Sequence, residues 1–263
     1  MTNIGKIKRL KRIFREDGRT VVIPMDHGVT GGPIPGLLDM QDIVTKIQKG
    51  GADAVVLHKG IAMNVNTHNL GLIVHLSAST KIGPDIHRKV TICSVEEALR
   101  IGADAVSIHI NVGSEDEPEM LEQMGGIADE CDVHGVPLLA MMYPRGPEIK
   151  NENAPDLVAH VARLGAELGA DIIKTNYTGS VETFKDVIRG CPVPVIIAGG
   201  PKVETTKQVL EMVSDSIKAG GKGVSIGRNV FQHADPTAMT KALVAIVHEK
   251  ASVEQALNIL GDA

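Results

Sequence analysis

The stretch Gly169-Ala-Asp-Ile-Ile-Lys-Thr-Asn176 contains the pattern that decides the fold. A glycine of the kind that ends helices is followed by a connector, a short apolar run and then polar side chains. The same Gly-Ala-Asp phrase precedes apolar runs at Gly51 and Gly102. These runs are continuous rather than alternating, which is typical of strands buried on both faces of a sheet. The repeated unit is therefore a strand joined to a helix, in a parallel sheet.

Eight apolar runs of this kind follow one another along the chain. They predict strands over 21–25, 54–57, 72–76, 105–110, 137–142, 171–174, 194–198 and 223–226. Eight βα units in 263 residues predict an α/β fold, a single (β/α)8 TIM barrel domain over residues 1–263 with short N-terminal and C-terminal helical extensions. The alternative is an open doubly wound sheet, which would normally carry a glycine-rich dinucleotide loop after its first strand. This chain has Asp26-His-Gly28 there instead.

Between the runs, apolar residues at helical spacing indicate helices with identifiable ends. Asp39 is predicted to cap one helix, Ser94 and Glu97 to form a capping box at the start of another, and a third helix to cover about 119–134. The basic stretch from Lys6 to Arg15 also has apolar residues at helical spacing. It predicts a short amphipathic helix over one end of the domain, with an electrostatic patch for a polyanion as the alternative.

The composition argues against several classes of protein. Aromatic residues make up only 2% of the chain, so the stacking side chains of a single-strand binder are missing and no nucleic-acid partner is expected. No apolar run reaches the roughly 18 residues of a membrane span, and the N-terminus lacks the apolar core of a signal peptide. Cys93, Cys131 and Cys191 are far apart and form no CxxC pair. We therefore expect a cytoplasmic protein with reduced thiols and no membrane partner.

Polar, ionisable or glycine residues stand where the predicted strands end. The chemistry of such a barrel lies at the carboxyl ends of its strands, so these residues are candidates for one common site. In chain order they are Asp26, His27, Gly28, His58, Lys59, His75, His109, Asn111, Tyr143, Arg145, Lys174, Asn176, Gly199, Gly200, Gly227 and Arg228.

Lys174 is the candidate nucleophile of this group. Burial favours the neutral amine of a lysine, and the neutral amine is the form that attacks a carbonyl carbon. A strand-end lysine paired with a carboxylate is the alternative, and Lys59 is a competing candidate. Lys174 is favoured because Tyr143 ends the preceding strand, and a phenol beside an amine can move the protons that carbinolamine formation and dehydration require.

The last two strand ends predict a phosphate site. Glycine pairs expose backbone N–H groups to an anion, and Arg228 can direct two hydrogen bonds onto it, although the glycines could serve only to turn the chain. Asp26 ends the first strand, which neighbours the eighth in a closed barrel, so it could act as a base there or simply cap a turn.

Four histidines, His27, His58, His75 and His109, raise the question of a metal site. None belongs to an HxH or HExxH pattern and no matching carboxylate cluster accompanies them. We expect no metal ligands and no cofactor, with the histidines as hydrogen-bonding side chains at the barrel mouth.

Five motifs together resemble the archaeal-type class I fructose-bisphosphate aldolase family, over about 13–248. They are Asp26-His-Gly28, Tyr143-Pro-Arg-Gly146, Lys174-Thr-Asn-Tyr-Thr-Gly179, Gly199-Gly-Pro-Lys202 and Gly227-Arg-Asn-Val-Phe231. The resemblance implies that Lys174 is the Schiff-base lysine, Tyr143 the proton donor and Asp26 the proton acceptor. It also implies a homo-oligomer such as a decamer. The substrate-binding residues that it implies are Asp26, His27, Gly28, Val29, Thr30, Tyr143, Pro144, Arg145, Lys174, Thr175, Asn176, Gly199, Gly200, Gly227 and Arg228.

Within that family, the segments Ala140–Gly146 and Lys174–Gly179 are most similar to transaldolase-type synthases of an early step toward aromatic amino acids. The resemblance therefore implies transfer of a hydroxyacetone fragment from 6-deoxy-5-ketofructose 1-phosphate, a sugar phosphate, to L-aspartate 4-semialdehyde. A fructose-bisphosphate aldolase with the same lysine chemistry is the alternative. A metal-dependent lyase that uses the four histidines and a non-catalytic barrel that binds sugar phosphates stay open as well.

Overall fold

Eight parallel strands close into a barrel in the computed structural model of the chain, which describes residues 3–200 and 205–261. The strands in these described residues are β1 (Thr20–Pro24), β2 (Ala54–His58), β3 (Gly71–His75), β4 (Ser77–Ala78), β5 (Val90–Thr91), β6 (Ala105–Val112), β7 (Leu138–Pro144), β8 (Ile172–Thr175), β9 (Val195–Ala198) and β10 (Gly223–Ser225). Around the barrel the order is β1, β10, β9, β8, β7, β6, β3, β2. The predicted (β/α)8 barrel is confirmed, whereas the single-domain assignment stays a prediction.

The helices form the layer outside the barrel. They are α1 (Ile4–Leu10), α2 (His27–Gly31), α3 (Met40–Lys49), α4 (Lys59–Ala62), α5 (Val95–Ile101), α6 (Glu117–His134), α7 (Pro155–Glu167), α8 (Val181–Gly190), α9 (Thr206–Lys218), α10 (Arg228–Phe231), α11 (Pro236–Glu249) and α12 (Val253–Leu260). In the described part of the chain, none of them has the length and apolar character needed to cross a bilayer.

Strand alternation separates two apolar cores. Val22, Ile73, Leu139, Ile172 and Ile196 belong to the cluster inside the barrel. Their neighbours along each strand belong to a second cluster, between the barrel and the helices. Because side chains alternate along a strand, the residues two positions beyond the interior set also point into the barrel, toward its mouth.

Helix caps follow the predicted signals with one correction. The Asp39 side chain accepts from the amide of Asp42 and begins α3 as predicted. Ser94 accepts from the amide of Glu97, but the predicted capping box is wrong in its second half. The Glu97 carboxylate accepts from Lys59 at 3.0 Å, so an ion pair replaces the bond back to the cap.

The basic N-terminal stretch closes the amino end of the barrel. Its helix, α1, ends at Leu10 and is shorter than predicted, and Ile13 beyond it is fully buried against the barrel interior. Lys6 binds the carboxylates of Asp132 (2.5 Å) and Asp171 (2.9 Å). These ion pairs tie α1 to α6 and to the entry of β8, which supports the helical reading of this stretch over a patch for a polyanion.

A two-stranded hairpin at the carboxyl end of β3 was not predicted. β4 and β5 pair antiparallel through Ser77 with Thr91 and Ala78 with Val90. The segment between them is attached to α2, because Thr30 Oγ1 donates to the Ser79 carbonyl (3.0 Å) and the Lys81 amide donates to the Thr30 carbonyl (3.1 Å). The hairpin therefore forms one wall above the barrel mouth.

Candidate active site

A cavity of about 540 Å³ opens at the carboxyl end of the barrel. This is the end at which barrels of this class carry their chemistry, and the volume suits a small-molecule ligand. The predicted site residues on its wall are Asp26, His27, Thr30, Tyr143, Arg145, Lys174, Asn176, Gly199, Gly200, Gly227 and Arg228.

Lys174 lies on β8 with its side chain directed into this cavity. It follows Ile172 by two positions, so it shares the interior face, and only 7% of its surface is exposed. Its Nζ contacts Met141 Sδ at 4.0 Å. None of the ion pairs found within residues 3–200 and 205–261 includes Lys174, so the reading of this lysine as a carboxylate partner has no support.

Lys59 lies outside the site. It is the first residue of α4, its side chain is more than one-third exposed, and its Nζ is bound by Glu97. His58, the residue before it, is on the cavity wall, because strand alternation turns His58 inward and Lys59 away. Of the two candidate lysines, only Lys174 presents its amine to the cavity.

Asp26 lies among histidines at the end of β1. Its Oδ2 is 3.9 Å from His75 Nε2 and its Oδ1 is 3.7 Å from His27 Nδ1. Burial alone would raise the pKa of Asp26, but attraction to the protonated forms of the surrounding histidines, which exist at the acid pH where this carboxyl would titrate, and to the Lys174 ammonium outweighs it and holds that pKa well below its usual range. Asp26 is therefore a carboxylate at neutral pH.

The histidines around Asp26 are neutral at neutral pH. Burial lowers the pKa of His75 to about 3, and it also lowers the pKa values of His27 and His58. His75 Nδ1 is hydrogen-bonded to Ser107 Oγ at 2.8 Å, and its ring packs edge-on against His58 with centroids 5.2 Å apart. Within the described ranges, no three His, Cys, Asp or Glu side chains are grouped as a metal would need.

Tyr143 on β7 packs against an aromatic ring and a guanidinium group. Its ring lies 5.0 Å from that of His109, and the Arg145 guanidinium carbon is 4.4 Å from its centroid. Arg145 is in turn held by Glu152, with 2.8 Å between Nε and Oε2. Asn176 donates to the Glu152 carbonyl at 2.9 Å, so the segment after β7 and the end of β8 are linked beside the tyrosine.

The loops after β9 and β10 are joined to each other. Arg228 Nη2 donates to the Gly200 carbonyl at 2.9 Å, and Asn229 Nδ2 donates to the Gly199 carbonyl at 3.0 Å. A side chain at Gly227 would meet the Pro24 carbonyl oxygen at 2.7 Å, so only glycine fits this close approach to β1. Arg228 Nε is buried without a partner in the described part of the chain, which leaves a donor for an anion. Pro201 and Lys202 of the motif lie outside the described residues.

Comparison with known proteins places this site in a family. A family model for the DeoC/LacD family aldolases matches residues 20–233. The chain belongs to the DeoC/LacD aldolase family. The expected resemblance to aldolases that use a lysine is thereby confirmed.

Relatives of this chain carry two synthase names. The chain is 48% identical to 2-amino-3,7-dideoxy-D-threo-hept-6-ulosonate synthase of Halobacterium salinarum, over 98% of this chain and 97% of that protein. It is 43% identical to 2-amino-4,5-dihydroxy-6-oxo-7-(phosphonooxy)heptanoate synthase of Streptomyces griseus, over 91% and 89%. An archaeal fructose-1,6-bisphosphate aldolase, solved with its catalytic lysine bound to a carbinolamine intermediate, matches with a TM-score of 0.87 and 34% identity, over 91% of this chain and 98% of its own.

Four of the predicted site residues are not on the cavity wall. Pro144 and Thr175 follow inward-facing neighbours, so alternation turns both side chains toward the helical layer. Gly28 and Val29 lie on α2 behind His27, and Val29 is partly exposed to solvent. The motifs are contiguous in sequence, but only every second side chain along a strand faces the cavity.

The sequence reasoning missed the hairpin wall and one polar strand end. Lys89, Lys81, Ser79 and Ser77 on the hairpin line the cavity, as does Ser225 at the end of β10. Ser225 Oγ is buried and, among the described residues, has no hydrogen-bond partner. A signal for the hairpin was present, because the segment between the predicted strand and the next helix is unusually long and contains Gly83 and Pro84.

Proposed function

We propose that this aldolase-family chain is a transaldolase-type synthase that acts through a Schiff base on Lys174. It transfers a hydroxyacetone fragment from 6-deoxy-5-ketofructose 1-phosphate to L-aspartate 4-semialdehyde and forms 2-amino-3,7-dideoxy-D-threo-hept-6-ulosonate. One observation carries the proposal: the Lys174 amine is buried, lines the cavity and has no ion-pair partner in the described part of the chain. Similarity to the Halobacterium synthase over nearly the whole chain supports the choice of product.

In the first half of the reaction, the Lys174 amine attacks the ketone next to the methyl end of the donor. Loss of water gives an iminium, which draws electrons from the adjacent carbon–carbon bond. The C3–C4 bond breaks as the C3 hydroxyl loses its proton to Asp26. Hydroxypyruvaldehyde phosphate leaves, and the electron pair of the broken bond remains on the lysine as the enamine of hydroxyacetone.

In the second half, the enamine carbon attacks the aldehyde carbon of the acceptor. The new alkoxide takes a proton from Tyr143, and water hydrolyses the iminium to release the product and the amine. Asp26, as a carboxylate, also compensates the positive charge of both iminium intermediates. We propose that Arg228 and the backbone of Gly199, Gly200 and Gly227 bind the phosphate of the sugar substrate.

A fructose-1,6-bisphosphate aldolase is the second candidate, favoured by the structural match to the archaeal aldolase. It would use Lys174 in the same way but would take a phosphorylated aldehyde in place of the amino acid aldehyde. The Streptomyces product carries its phosphate next to the ketone, at a carbon that is deoxygenated in the Halobacterium product. The donor fragment therefore also has to be established by assay.

The decisive experiment traps the intermediate and compares the substrates. The chain is incubated with donor and borohydride, and the adduct is located by peptide mass spectrometry. We expect the adduct on Lys174, its loss in Lys174→Met, and its retention in the control Lys59→Met. Product formation is then measured with L-aspartate 4-semialdehyde and, separately, as cleavage of fructose 1,6-bisphosphate. An adduct on Lys59, or none at all, contradicts the Schiff-base assignment, and faster cleavage of the bisphosphate contradicts the synthase assignment.

The proposal also includes a cellular compartment and an oligomeric state. Cys93, Cys131 and Cys191 are free and buried, which agrees with a reducing compartment such as the cytoplasm. A homo-oligomer, with a decamer as the expected form, stays a prediction that light scattering can test.

A further inference from the structure

Ser107 and His75 form a buried polar pair inside the barrel. They stand opposite each other on β6 and β3, and Ser107 is fully buried while His75 borders the cavity. Ser107 Oγ lies 2.8 Å from His75 Nδ1. Burying two polar side chains in a barrel is unfavourable unless they are hydrogen-bonded, and no reaction step given above uses either of them.

The carboxylate of Asp26 lies beside this pair and lacks a hydrogen bond of its own. Asp26 precedes α2, but its side chain does not cap that helix. Two imidazole nitrogens face the carboxylate in the described part of the chain, His75 Nε2 at 3.9 Å from Oδ2 and His27 Nδ1 at 3.7 Å from Oδ1. Both distances are longer than hydrogen bonds. A carboxylate without a fixed donor can turn about its Cα–Cβ bond, so a base at this position needs a group that orients it.

The Ser107 hydroxyl sets which nitrogen of His75 carries the proton. Burial lowers the pKa of His75 to about 3, so the ring is neutral at pH 7 and has one N–H and one acceptor nitrogen. With the proton on Nδ1, the Nε2 lone pair would face the Asp26 carboxylate, acceptor against acceptor. The hydroxyl has no other partner among the described residues and is free to donate to Nδ1. The proton of the ring therefore lies on Nε2 and faces Asp26.

His27 lacks such a partner. Its ring packs edge-on against Phe231 with centroids 5.2 Å apart, but its Nδ1 is buried without a hydrogen bond in the residues that the structure describes. Of the two imidazoles that face Asp26, His75 is thus the one whose tautomer is set by a second hydrogen bond.

We propose that Ser107 and His75 are positioning residues for the reaction. Ser107 fixes the tautomer of His75, and the Nε2–H of His75 orients Asp26 to take the proton of the donor's C3 hydroxyl. Neither residue gains or loses a proton in this step. The gap of 3.9 Å has to shorten by about 1 Å to become a charge-assisted hydrogen bond, and catalytic hydrogen bonds commonly tighten in this way when substrate is bound. The proposal rests on the proposed function, in which Asp26 is the base.

The test follows the adduct on Lys174 by mass after rapid mixing with the donor and a borohydride quench. An adduct quenched before cleavage carries the whole six-carbon donor, whereas one quenched after cleavage carries the three-carbon hydroxyacetone fragment. Ser107→Ala removes the hydroxyl, and His75→Phe removes the N–H but keeps a ring. Ser216→Ala removes an equally buried hydroxyl from α9, outside the cavity wall, and is the control.

We expect both variants to form the adduct at the wild-type rate, because Lys174 is unchanged and Asp26 keeps its charge. Conversion of the six-carbon adduct into the three-carbon adduct should slow about three- to tenfold in Ser107→Ala, which loses a hydrogen bond between neutral groups. It should slow about ten- to hundredfold in His75→Phe, which loses a donor to a charged group. Ser216→Ala should match the wild type in both steps.

Ser107→Ala is the milder change and carries the test alone if His75→Phe does not fold. Conversion at the wild-type rate in Ser107→Ala overturns the proposal. Equal slowing of adduct formation and conversion also overturns it, because that pattern indicates general damage to the site. Failure of the proposed function would look different, because wild-type protein would then form no adduct on Lys174, or a six-carbon adduct that is never converted.

Discussion

Protonation of His75 should make the folded protein sensitive to mild acid. The ring is buried at the end of β3, bonded to Ser107 and close to Asp26, and its pKa falls from 6.5 to about 3 on folding. A base whose pKa is lowered by folding contributes stability that is fully present above pH 6.5 and is lost as the pH falls toward 3. The relevant window therefore lies below pH 7.

The size of the effect follows from the two pKa values. Between pH 7 and pH 5, the ring in the unfolded chain becomes almost fully protonated, while the ring in the folded protein stays neutral. Proton linkage then lowers the free energy of unfolding by about 2 kcal/mol through His75 alone. Asp26 does not contribute in this window, because it is ionised both in the folded protein and in the unfolded chain.

Urea unfolding at pH 7 and pH 5, at one protein concentration, measures this loss. In His75→Gln, the difference in unfolding free energy between the two pH values should be smaller than in the wild type by about 2 kcal/mol. His160→Gln removes an exposed ring on α7 and should retain the wild-type difference. Equal pH dependence in the wild type and His75→Gln would refute the claim that the buried ring stays neutral.

Two more predictions concern the chemistry. Tyr143→Phe should slow turnover by about 10²- to 10⁴-fold, which is the usual contribution of a positioned acid–base group. The borohydride adduct on Lys174 should still form in this variant. A loss of less than tenfold in the steady-state rate would contradict the proton-transfer role of Tyr143. Activity should also survive dialysis against a strong chelator, because the iminium supplies the polarisation that a metal ion would otherwise provide; inactivation that added zinc reverses would revive the lyase that uses the four histidines.

The barrel was predictable because its signals are local. Each strand is a continuous apolar run, and Gly-Ala-Asp marks three of the helix-to-strand junctions. The observed strand ends differ from the predicted ones by one or two residues where polar residues take part in strand pairing. β7, for example, extends to Pro144 because Tyr143 and Pro144 pair with Asn111 and Val112 of β6. Hydrophobic periodicity does not record pairing between polar residues, so the ends of these strands were set too early.

The site was predictable only as far as strand ends define it. The resemblance is to contiguous motifs, but side chains alternate along a strand. Tyr143 and Lys174 therefore face the cavity, whereas Pro144 and Thr175 face away from it. The hairpin wall depends on partners far apart in sequence, such as Thr30 with Ser79. Its two strands have two residues each and no apolar run, so no local pattern announced that Lys89 would face the cavity.

The charges in the cavity explain why one lysine can serve two half-reactions. Each half forms a cationic iminium on Lys174, and the nearby histidines cannot add to that charge because burial keeps them neutral. Asp26 remains ionised, because its surroundings hold its pKa well below the usual range. It can therefore stabilise the iminium in both halves, and it holds a hydroxyl proton only briefly because its pKa is low.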